Sequence, residues 1–293
     1  MDGFNKGGVA YVKGPLLPHF SRPLTDNDRR GWKSDKLLAP WYHPNLTLEK
    51  MDVGAIQTSS KRGQSVKIKS VYQLLEGKVR VTIDYELLAS GQLHVAQHFL
   101  PLKNGLPDLP KIGMQLMVNR QLSDIIWYGR GPYGNYIDRN TGAMAGIYQM
   151  PLLSPTFMEP YVVPQEVGNK TDVRWMALSA NGGVKQGNVK GSANTNDHGR
   201  NSGGLLVIAD SLLSMSARPY TEQNINQARH TIDLKDTVGI TLNIDLKQMG
   251  VGGNDSWSII ARPLDKYMIP AMPYRYGFYL IIGDPNLLKK PVE

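Results

Sequence analysis

The residues of this chain whose types and spacing could do chemistry fall into four strings. His94 and His98 stand four apart, the spacing of a helical zinc-ligand pair. No Glu follows His94, however, and Gly91 and Pro101 bracket the two histidines. On a strand both would share one face about 13 Å apart, at roughly 3.3 Å per residue, too far to hold one ion. Gly129-Arg130-Gly131-Pro132-Tyr133-Gly134 matches a dinucleotide-binding pattern by letter. Pro132 sits where a helix must offer free N–H groups to a pyrophosphate, so the string reads as a glycine-rich turn. Asp26-Asn27-Asp28 opens like a calcium loop, but the required Gly and bidentate Glu do not follow, and Asx-turn chemistry explains it more simply. Gly250-Val251-Gly252-Gly253-Asn254-Asp255-Ser256-Trp257 sets an indole behind a very free backbone, where a sugar ring could stack on it. Residue-type statistics alone place such a tryptophan in the core. The other histidines, His19, His43, His198 and His230, show no metal-ligand spacing and read as structural or surface residues.

Strands must position these groups. Over residues 78–87, Val79, Val81, Ile83, Tyr85 and Leu87 alternate with polar side chains, the period of a strand with one buried face. Weaker versions recur at 66–72, 113–118, 205–209, 213–217, 238–246 and 276–282, separated by Gly, Pro, Asn and Asp. The best helical candidate is short, 222–228, with Thr221 as its N-cap. Residues 179–204 are crowded with Gly, Asn and Ser and read as a long mobile loop inside one domain. There is no fixed-period repeat and no alternation of strand and helix of the (β/α)₈ kind. The economical reading is an all-β fold, a large antiparallel β-sandwich formed as a single domain over 1–293.

Composition narrows the partners. The 33 Lys and Arg against 25 Asp and Glu give a net charge of +8. Apart from Arg29-Arg30, Lys61-Arg62 and Lys289-Lys290 the basic residues are spread singly, which argues against a nucleic-acid partner. The absence of cysteine removes disulfides, thiolate metal sites and thiol nucleophiles, but leaves the compartment open between cytoplasm and periplasm. Residues 1–8 contain no apolar core of a signal peptide, and no run approaches the ~20 apolar residues of a membrane helix, so no membrane partner is expected.

Six strings taken in order carry a resemblance. They are Arg22-Pro23-Leu24-Thr25-Asp26-Asn27-Asp28, Trp127-Tyr128-Gly129-Arg130-Gly131-Pro132 and Asn135-Tyr136-Ile137-Asp138-Arg139. Tyr161-Val162-Val163-Pro164-Gln165-Glu166, Asp172-Val173-Arg174-Trp175 and Met249 through Trp257 complete the series. Together they resemble the C-terminal, small-chain region of the β-galactosidases of glycoside hydrolase family 2. The resemblance implies a supersandwich of the galactose-mutarotase-like kind, with the catalytic barrel in a preceding domain or partner subunit. It makes Trp257 part of the galactoside site and Asp26, Asn27, Asp28 and Gly31 wall residues of the same pocket. It also implies that the magnesium and sodium ions of the complete enzyme belong to the barrel, with no cofactor in this chain. Met1 falls close to where the family's C-terminal domain begins, the start expected of a whole domain. Three departures stand out: Ser21 replaces a usual tryptophan, Gly134 replaces a usual glutamate, and the 179–204 loop is enlarged.

A retaining glycosidase needs two carboxyl groups about 5–5.5 Å apart across the scissile bond, and the family draws both from its barrel. None of Glu49, Glu76, Glu86, Glu159, Glu166, Glu222 and Glu293 lies in a string resembling the catalytic ones. The chain is therefore expected to complete a galactoside site rather than contain one, in a β-galactosidase that can be oligomeric. Two other functions share this fold. One is a free-standing carbohydrate-binding module. The other is a mutarotase-like epimerase, which would need Glu166 and a histidine as its acid and base.

Overall fold

The computed structural model describes residues 4–6, 9–59, 63–180 and 203–285. Its strands are β1 Phe4–Lys6, β2 Val9–Val12, β3 Leu17–His19, β4 Thr47–Val53, β5 Gln57–Ser59, β6 Gly63–Leu74, β7 Val79–Leu88 and β8 Leu93–Pro101. There follow β9 Lys111–Asn119, β10 Asp124–Gly131, β11 Met144–Pro151, β12 Lys170–Ser179, β13 Gly204–Arg218, β14 Gly239–Gln248 and β15 Tyr274–Gly283. All pairings are antiparallel, in the order β1-β2-β9-β14-β13-β15-β8-β7-β6-β4. The strands β12, β10 and β11 branch off β13.

The alternation read over 78–87 appears as β7, with Val79, Val81 and Ile83 fully buried. These side chains share one core with Met114, Leu116 and Val118 of β9 and Ile240, Leu242 and Ile244 of β14. Strands far apart in the pairing order thus meet face to face, because the sheet curls over itself and closes an all-β sandwich. Segments 205–209 and 213–217, read as two strands, are one continuous strand, β13. Its first half pairs with β15 and its second with β14. Asp210-Ser211 looks like turn chemistry, but the chain stays extended there because one strand passes from one part of the curled sheet to the next, which needs no turn.

Thr221 caps the helix Glu222–Gln227 as predicted, its Oγ1 accepting from Asn224 N at 3.1 Å. Two further four-residue helices, Ser34–Leu37 and Ala39–Tyr42, are too short to show a 3.6-residue stripe in sequence. Trp41 anchors this segment, packed against Phe20 and Phe99 with ring centroids 5.9 Å away. Positions 181–202 of the expected 179–204 loop lie outside the described residues, and its two ends belong to β12 and β13.

Lys170, the first residue of β12, is buried in an aromatic box, its Nζ 4.4 Å from the centroid of Phe157 and 5.4 Å from that of Trp127. Burial pushes its pKa down to about 8, against a smaller upward pull from Glu159. The unfolded lysine titrates near 10.4, so the unfolded chain binds more protons between about pH 8 and 10.4 and stability rises with pH across that window. Lys170→Met is expected to flatten this rise, worth roughly 3 kcal/mol, and to raise stability at pH 7. Urea unfolding of both proteins at pH 7 and 9.5 checks it: an unchanged pH slope in the variant would remove Lys170 as its source.

Candidate functional site

The site grows from Arg22, which enters the interior just after β3 with 1% of its surface exposed. Its Nη1 donates to Met249 O at 2.8 Å, and its Nη2 donates to Gly250 O at 2.9 Å and to Asp28 Oδ2 at 3.2 Å. Asp28 is equally buried and fully engaged. Its Oδ2 also accepts from Thr25 N at 3.0 Å, its Oδ1 accepts from Trp32 Nε1 at 3.2 Å, and Thr25 Oγ1 accepts from Asp28 N at 3.1 Å. Asp28 therefore holds the 25–32 turn in shape from behind, while Asp26 and Asn27 stand at its surface. Asp26 N donates to Gln165 Oε1 at 3.0 Å, and Asn27 Nδ2 reaches Asp255 O at 3.5 Å.

The second turn, 249–261, lies directly against the first. A Cβ on Gly31 would come within 2.3 Å of Ala261 Cβ, and one on Gly253 within 2.2 Å of Ala261 O, so glycine is required at both crossings. Asp138 ties the turn down from a third element, its Oδ2 accepting from Val251 N at 2.8 Å and Gly252 N at 2.7 Å. Asp255 then shapes the tip. Its Oδ1 accepts from Trp257 N at 3.2 Å and Ser258 N at 3.1 Å, and its Oδ2 accepts from Ser258 Oγ at 2.6 Å. The Ser258 hydroxyl, followed by the two backbone N–H groups, holds the Asp255 carboxyl below the usual range.

Trp257 stands on this braced tip 78% exposed, whereas Trp32, Trp41, Trp127 and Trp175 are all buried. The core placement suggested by residue statistics is overturned, because the Asx turn at Asp255 projects the indole away from the sheet. Ile259 and Ile260 beside it are also exposed, so the tip carries an apolar patch. The bracing residues Arg22, Asp138 and Asp255 were missed as site residues by sequence reasoning, although each lies in a string that carried the resemblance. The spacing of Asp255 to Trp257 and Ser258 is the one local signal that could have found a bracing residue.

The remaining candidates fall elsewhere. On β8, His94 Nε2 meets Asp210 at 2.8 Å and His98 Nε2 meets Asp84 at 3.2 Å, so the two histidines serve different carboxylates. The glycine string 129–134 ends an antiparallel strand, β10. Among the described residues no three His, Asp or Glu side chains are grouped to hold a metal ion. Glu166 accepts from Arg218 Nη2 at 2.9 Å and from Tyr136 Oη at 3.3 Å, whereas His19 pairs with Glu222 at 3.3 Å. Burial first, then the charge of Lys111, lowers the pKa of His19.

Two of the departures have a structural counterpart. Ser21 Oγ donates to Glu222 Oε2 at 3.1 Å, joining the His19 pair. At Gly134, the place a side chain would take is filled by Glu159, whose Oε1 accepts from Gly134 N at 2.6 Å. A glutamate at 134 would put a second carboxylate against that one.

Fold and site together define an antiparallel β-sandwich module with a braced aromatic tip. The profile of the family described as beta galactosidase small chain matches residues 1–280, and the chain belongs to that family. It is 31% identical over 260 residues to a beta-galactosidase of Priestia megaterium, covering 89% of this chain and 22% of that protein. It is 32% identical over 288 residues to a beta-galactosidase of Lactobacillus delbrueckii subsp. bulgaricus, covering 96% and 25%. The chain thus spans about a quarter of the length of the curated relatives it matches. The galactosidase domain of an alpha-galactosidase-sucrose kinase overlays with a TM-score of 0.44 at 10% identity, covering 82% of this chain and 28% of its own.

Proposed function

We propose that this chain associates with a barrel-bearing β-galactosidase domain or subunit and completes its galactoside site with Trp257, the reactive carboxylates being supplied by the barrel. The carrying observation is the exposed indole on a tip braced by Arg22, Asp138 and Asp255. A large apolar ring left in water on a rigid support is an unfinished contact, and Ile259 and Ile260 extend the surface a partner would cover. The glutamates support the same division of labour: Glu166 is committed to Arg218 and Glu222 to His19 and Ser21. The magnesium and sodium ions of the complete enzyme are assigned to the barrel on this reading.

An aromatic face against a sugar ring is worth about 1 kcal/mol, or roughly fivefold in rate or binding. Trp257→Ala, mixed with the barrel-bearing partner, is therefore expected to lower kcat/KM for nitrophenyl galactoside about five- to tenfold, with melting unchanged because the ring packs against little of its own chain. Equal rates for the two proteins would end the assigned role.

A further inference from the structure

We propose that this chain pairs with a second copy of itself through the edge strand β4, in a two-fold antiparallel contact centred on Met51. Among the described residues β4 pairs only with β6 and ends the pairing order, so its far edge is open. All seven of its residues are exposed. Leu48, Met51, Val53 and the nearby Ile56 are each 47–67% exposed, an apolar row with nothing over it. A bulge between Leu48 and Lys50 sets Leu48, Met51 and Val53 opposite Tyr72, Ser70 and Ile68. The row therefore continues the face of β6 whose Tyr72 and Leu74 enter the core. An open strand edge with an apolar face is a template for another strand.

Charge and backbone direction together select a second copy as the occupant. Gly54 N donates to Lys67 O of β6 at 2.7 Å, so by strand alternation Asp52 and Lys50 also turn their backbone groups to β6, while Met51 and Val53 turn theirs outward. A two-fold antiparallel partner must hydrogen-bond to the outward groups, which puts Met51 opposite Glu49, Met51 or Val53 of the second copy. The first register sets Lys50 against Lys50 and the last sets Asp52 against Asp52, like charges directly opposite. The middle one sets Lys50 opposite Asp52 twice, with Met51 facing Met51 on the apolar side. Lysine ordinarily guards an edge against a second strand, but Asp52 lies 2.9 Å from Lys50 and answers its charge. Glu49 is answered in the same way by Arg80 at 3.9 Å. The contact closes on itself, as an isologous dimer requires. By contrast β11, which also pairs on one side only, holds no charged residue that could select a register.

Sedimentation of the full chain at rising concentration is expected to show a monomer–dimer equilibrium. Asp52→Lys should weaken it about tenfold or more, since like charges then oppose each other twice, and Lys50→Asp combined with Asp52→Lys should restore it. β4 contributes no buried side chain, so these variants are expected to melt as the wild type does. The chain has no cysteine, which makes an introduced thiol the only one available for cross-linking. Hydrogen-bonded residues directly opposite have Cα atoms about 5.5 Å apart, inside the ~4.4–6.8 Å span of a disulfide, so Met51→Cys should cross-link under mild oxidation. Asp52→Cys should not, because in this register the two copies of position 52 stand roughly 8 Å apart. A monomer at every concentration, a dimer indifferent to Asp52→Lys, or cross-linking through Asp52→Cys in place of Met51→Cys overturns the proposal. A chain that is monomeric alone and loses affinity for a barrel-bearing partner in Asp52→Lys overturns it too, and assigns the edge to that partner.

Discussion

Arg22→Met should destabilise the chain by about 3–5 kcal/mol, the range for removing one partner of a buried ion pair. The guanidinium is fully buried and answers three acceptors at once: Met249 O, Gly250 O and Asp28 Oδ2. Removing it strands the two carbonyls and leaves the Asp28 carboxylate with no positive partner in the interior. Replacing both ends of such a pair costs less than removing one, so Arg22→Met with Asp28→Leu is expected to regain part of the loss, less the hydrogen bonds of Thr25 N and Trp32 Nε1. Urea denaturation of the single and double variants measures both. A loss below about 1 kcal/mol for the single variant would show that the two turns are held together by something else.

Gly253→Ala is expected to destabilise the 249–261 turn and to cost about as much activity as removing the indole itself. The added Cβ would lie 2.2 Å from Ala261 O, 2.3 Å from its C and 2.6 Å from its Cα. Backbone atoms on both sides cannot step aside as a flexible side chain would, so the turn must move and carry Asp255 and Trp257 with it. Misplacing a positioning group by about 1 Å can cancel its contribution, so a fall in kcat/KM of about five- to tenfold, matching Trp257→Ala, is expected in the mixture with a barrel-bearing partner. Gly142→Ala is the control, since its Cβ would meet nothing within 4 Å. Full activity in Gly253→Ala would mean that the tip tolerates displacement and that Trp257 is not a positioning contact.

Much of the fold was legible before any coordinates. The period-two runs appear as β6, β7, β9, β13, β14 and β15, because alternation along a strand is recorded in neighbouring residues. The N-cap at Thr221 was legible for the same reason, its partner being three residues away. The edge strand β4 was not: all seven of its residues are exposed, so no buried face imposes an alternation. The site was legible in part. Trp257 and the 26–31 turn could be named only through the resemblance, since composition argued for a buried indole.

By its own amino-acid order, then, this chain determines the alternating strands β6, β7, β9, β14 and β15, the capped helix Glu222–Gln227 and the strings that mark its family. Tertiary structure alone decided that Arg22 meets Met249 O across 227 positions, that Gly31 lies under Ala261, and that Glu166 sits beside Tyr136 and Arg218 at a cavity wall. The physical reason is range. Periodicity and capping are set by groups a few residues apart, whereas each of these contacts is set by how a long sheet curls and which of its loops then share one edge.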